Sequence, residues 1–145
     1  MNRHLPDESL FELARELLAR EAAVLPGAPE DSVFQAFEKV RQPLGTLAGV
    51  TGVRVLLSRA LTLAKAKCAP LSAISVQQDG SLKGFNALSP QMASEAGLVL
   101  LVELLGLLVA FIGKALTMQL IRNVWLELTV SEIAMLEEGE YEPTQ

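Results

Sequence analysis

Residues 96–113 read AGLVLLVELLGLLVAFIG, eighteen residues with one charge, Glu103. What buries this stretch decides the fold. If lipid does, the chain is a small membrane protein; if other helices do, the stretch is the central column of a soluble bundle. Hydropathy alone permits a span. The glutamate costs about 2.5–3.5 kcal/mol at a bilayer centre, and a dozen large aliphatics at about 0.3–0.6 kcal/mol each outweigh it.

Three features favour the bundle. The apolar pattern continues past Gly113 through Leu116, Met118, Leu120, Ile121 and Val124, with Lys114 and Arg122 interspersed, which no bilayer boundary explains. No aromatic belt marks the ends, since Phe111 is inside the stretch and Trp125 lies twelve residues beyond it. The helices expected upstream carry apolar stripes that need a partner, and a helix apolar all round is what a buried column looks like.

Ser89-Pro90 is a strong helix start, a hydroxyl cap followed by proline at the first helical position. From there, or from a second start at Ser94, the pattern runs to Trp125, roughly 45 Å at 1.5 Å per residue. Upstream, residues 8–23 form a first helix, with Leu10, Phe11, Leu13, Ala14, Leu17 and Leu18 at helical spacing and Glu12, Arg15, Glu16, Arg20 and Glu21 opposite. Asp7 or Ser9 caps it. A second helix spans Glu30 to Arg41 and ends at Pro43. A third runs from Val53 to Lys67 after the glycine-punctuated PLGTLAGVTG. Between the third and fourth, Asp79-Gly80 separates two short alternating runs and predicts a hairpin with a type I′ turn.

The expected fold is therefore all-α: a small bundle of about four main helices around one long central apolar helix, with a short β-hairpin insertion. Residues 1–128 form one helical domain. Residues 129–145 add a short helix over Val130–Glu138 and an acidic tail. Only seven of the 145 residues are aromatic, so the core is built of Leu, Val and Ala. The absence of an apolar run at the N-terminus and the single cysteine, Cys68, point to a cytoplasmic protein.

Charge is unevenly placed. From residue 127 onward stand Glu127, Glu132, Glu137, Glu138, Glu140 and Glu142 with no base, whereas residues 46–70 carry Arg54, Arg59, Lys65 and Lys67 with no acid. Four cations on a chain of net charge −5 make a poor nucleic-acid surface, so no nucleic acid is expected. They suit a protein partner better, and this basic stripe or the acidic tail is the surface expected to meet one.

Catalytic constellations fall away on inspection. The one histidine, His4, precedes the first helix, which removes imidazole catalysis and histidine-dependent metal sites. Gly45, Gly49 and Gly52 match neither phosphate-loop spacing, and no strand precedes them. No cofactor or metal is expected. Glu103 needs a partner inside an apolar run, and Arg54 or Arg59 is the expected one; an enzyme built on Glu103 would instead need a sizeable concavity around it.

Glu103, Gly106, Ala110, Gly113, Lys114 and Thr117 recur at steps of three, four and one, a stripe of small and polar side chains on a bulky helix. Such a stripe admits close approach of another backbone, either within the chain or across a homodimer axis. The expected function is a non-catalytic protein-interaction or regulatory adaptor module that forms a homodimer. The alternative is a small integral membrane protein anchored by residues 96–113.

Overall fold

The structure, a computed structural model, describes residues 7–24 and 27–125. It is all-α apart from one small ribbon: α1 (Asp7–Val24), α2 (Pro29–Lys65), β1 (Ser75–Val76), β2 (Leu82–Lys83) and α3 (Pro90–Val124), with short 3-10 turns at Ala69–Ala73 and Phe85–Ala87. The expected helix over 130–138 and the acidic tail lie outside the described residues.

Among the described residues, three helices stand where four were expected. The second and third are one helix, α2, which runs through Pro43. Proline removes one N–H and crowds the carbonyl four residues back, which costs stability but does not end a helix held by its neighbours. Here Val40 and Leu44, on either side of Pro43, are 1% and 2% exposed. The real break comes at Gly49, with φ 78° and ψ 167°. α3 breaks in the same way at Gly113, with φ 89° and ψ 160°. This conformation is essentially confined to glycine, so each apolar helix bends where a Cβ is missing. At the second break Thr117, fully buried, donates its Oγ1 hydrogen to the Gly113 carbonyl at 2.8 Å.

The start of α3 is as expected, with the Ser89 hydroxyl accepting from the Met92 N–H at 3.2 Å. Ser9, one of the two proposed caps of α1, lies inside that helix. The ribbon is present, with Ser75 opposite Lys83 and Val76 opposite Leu82, but its turn is not type I′. Among the described residues only glycines have positive φ, so Asp79 does not. Gln77 accepts from the Gly80 N–H at 3.0 Å and its own N–H donates to the Ser81 carbonyl at 2.7 Å. The turn is a type I followed by Gly80 at φ 88°. Asp79 favours it by accepting from the Ser81 N–H at 3.0 Å and hydroxyl at 2.6 Å.

Within 96–113 the buried residues are Ala96, Gly97, Leu100, Leu101, Leu104, Leu105 and Leu108. Their alternating steps of one and three define one face of a helix. The stretch is thus apolar all round but covered on one side, and α3 is a one-faced partner of α1 and α2 rather than an enclosed column. Contact with α2 is close at Gly97, where an added Cβ would lie 2.6 Å from Val33 Cγ1. Beyond Gly113, α3 turns back along the first half of α2, and Leu47, Leu116 and Leu120 line a shared cleft there.

Because Val33 is β-branched and buried, it cannot yield to a side chain at position 97. Gly97→Val is expected to lower unfolding free energy by about 1–3 kcal/mol, read from urea midpoints at unchanged m-value. An unchanged midpoint would mean that α2 and α3 do not pack closely there.

Candidate functional site

The less buried side of α3 carries the stripe of small and polar residues. At 100° per residue, Glu103, Gly106, Ala110 and Gly113 lie roughly opposite the buried face. Ala110 and Gly113 are exposed, and Glu103 and Gly106 are half-buried. Thr117 leaves the set, because the helix has bent at Gly113 and buried it.

Gly106 is the unusual member. A Cβ placed on it would meet only Leu10 Cδ1, at 3.8 Å, an ordinary contact. Its φ is helical, unlike that of Gly113. Glycine in a helix interior costs about 1 kcal/mol relative to alanine, and nothing among the described residues requires it at this position.

Around Gly106 the surface forms a groove of about 450 Å³. Val99, Val102 and Gly106 line it from α3 and Leu10 and Phe11 from α1, with Glu12, Glu103 and Lys67 as its polar members. Phe11 is 40% exposed, and the Arg15 guanidinium lies 5.8 Å from its ring centroid. The concavity that an enzyme based on Glu103 would need therefore exists, but most of its wall is hydrocarbon.

Glu103 is met by Lys67 rather than by Arg54 or Arg59. Lys67 Nζ lies 2.5 Å from Glu103 Oε2, with the carboxylate side chain 15% exposed and the lysine 60% exposed. The lysine reaches it because α2 ends at Lys65 and a tight turn follows, with the Lys67 N–H donating to the Ala64 carbonyl at 2.9 Å. Of the basic residues, Arg54, Arg59 and Lys65 are exposed on the second half of α2. The four cations are thus divided, with Lys67 committed to the groove and three facing solvent. Cys68 is half-buried, and burial, followed by the nearby Glu95 carboxylate, pushes its thiol pKa up. That opposes thiolate chemistry.

A second polar centre was not legible beforehand. Glu21, placed by its spacing on the polar face of α1, is 3% exposed. Its Oε1 lies 3.0 Å from Lys39 Nζ and accepts from the Trp125 indole N–H at 3.3 Å. One carboxylate thereby joins α1, α2 and the end of α3. The available signal was Trp125, the single tryptophan, whose N–H needs an acceptor once the ring is buried.

A double-mutant cycle of Lys67→Met and Glu103→Gln is expected to give a coupling of about 1 kcal/mol, the upper end for a pair open on one side. A coupling of zero would show that the pair does not form in solution. Among the described residues, no group of three or more His, Cys, Asp or Glu is placed to hold a metal ion. No protein-family model matches this chain, and no curated protein or solved structure matches it.

Proposed function

We propose that this chain is a non-catalytic, cytoplasmic helical association module that pairs with a second copy through the outer face of α3. The observation that carries the reading is Gly106. It is a helical glycine that the chain's own packing does not require, set in an apolar groove beside Ala110. A missing side chain at that position lets a second helix approach closely, and two-fold pairs are the commonest assemblies. Lys67 and Glu103 would border such a seam and set its register. The basic stripe of Arg54, Arg59 and Lys65, with Lys67 at its edge, would then be the surface for which acidic segments compete, the chain's own or a regulatory partner's.

Membrane insertion is the second reading. α2 and α3 are both long and apolar enough to cross a membrane, and the best window of α3 has mean hydropathy 2.5 with 39% of it buried. The same open face serves either reading, so lipid and a second copy compete as its cover.

Protein prepared without detergent is expected to elute with a light-scattering mass twice the 15.6 kDa of one chain. Gly106→Leu should convert it to a folded monomer. Gly106→Ala should raise the stability of the monomer by about 1 kcal/mol through helix propensity. It should also weaken the dimer. A monomeric wild type, or a dimer indifferent to both changes, contradicts self-association through this face; recovery only in detergent would favour the membrane reading.

A further inference from the structure

The second half of α2 presents a face that is basic and apolar at once. Arg54, Val55, Arg59 and Lys65 are all exposed, with Val55 at 61%. Arg54, Arg59 and Lys65 have no ion-pair partner among the described residues. Residues 46–70 contain no acid to neutralise them.

The chain itself carries a complement. Twenty residues follow Trp125, and from residue 127 they hold six glutamates and no base. Val130, Ile133 and Ala134 fall at helical spacing among them. The sequence of this segment therefore pairs acid with hydrocarbon, as the α2 face pairs base with hydrocarbon.

We propose that residues 126–145 dock in cis on the second half of α2, with glutamates on Arg54, Arg59 and Lys65 and the apolar residues over Val55. The segment starts within reach. Trp125 shares Glu21 with Lys39. From Lys39 the helix rises about 15 Å to Gly49 and about 8 Å more to Arg54, so Arg54 is on the order of 30 Å from the start of the segment whatever the angle of the bend. Twenty residues extend to roughly 66 Å. Exposed ion pairs are individually weak, but a tethered segment meets its site at millimolar effective concentration, well above that of a second copy in dilute solution. The proposal does not rest on self-association.

The test uses the full chain at low micromolar concentration with a zero-length carbodiimide cross-linker, mapped by mass spectrometry on a mixture of isotopically light and heavy chains. The Lys67–Glu103 pair supplies an internal link that reports the folded state. Lys65 lies about 17 Å beyond Arg54 along α2, within reach of the later glutamates, and is expected to link to Glu137, Glu138, Glu140 or Glu142 of the same chain. Arg54→Glu combined with Arg59→Glu should cut that yield about tenfold and leave the Lys67–Glu103 link unchanged. Links that join light to heavy chains only, a segment linked only elsewhere, or a yield indifferent to the charge reversal would each overturn the proposal.

Discussion

The close approach of α2 and α3 at Gly97 is the constraint from which the rest of the fold follows. With Val33 against a bare Cα, the two long helices meet along a face of leucines and alanines, and α1 packs against both. Three helices cannot wrap a fourth side. The segment apolar around its whole circumference is therefore fully buried on one face, half-buried over most of the rest, and exposed at Ala110, Phe111 and Gly113. The exposed part of a helix of this hydropathy is the surface on which the proposed pairing rests.

The two glycine breaks complete this arrangement. Without them α2 and α3 would be rods of roughly 50 Å, about twice the length of the 18-residue α1 that packs on both. Gly49 and Gly113 fold each rod back, and the returning end of α3 lies along α2 and reaches Glu21 through Trp125. Placing the bends at glycine costs little locally, because the conformation is one that side chains avoid. Exposed Leu47, Val50, Phe111 and Leu116 flank the two bends in sequence, so apolar surface persists there too.

Much of this was legible in the chain. The 3.6-residue period located the helices, Ser89-Pro90 marked the start of α3, and Asp79-Gly80 marked a hairpin. Where the reading failed, competing physics explains it. Pro43 reads as a stop, yet burial of Val40 and Leu44 carried the helix through it. Asp-Gly reads as a type I′ turn, yet Asp79 bonds to Ser81 and leaves the positive φ to Gly80 alone. Periodicity could not tell a wholly buried helix from a half-covered one, because residues 96–113 are apolar on every side. For the same reason the stripe through Glu103, Gly106 and Ala110 could be found but not oriented. Lys67 was hidden as the partner of Glu103 because it lies beyond the end of α2, where spacing along a helix no longer predicts neighbours. Glu21 was misread because the residues that bury it, Lys39 and Trp125, are far away in sequence.

The proposed pairing requires that the outer face of α3 meet its counterpart in a second copy. Double electron–electron resonance on a spin label at Ala110→Cys, with Cys68→Ser to leave a single site, measures this directly. The prediction is a narrow intermolecular distance below about 25 Å, set by two helices packed at roughly 8–10 Å plus their labels. A background decay with no intermolecular distance, in protein that is folded and free of detergent, would contradict that pairing.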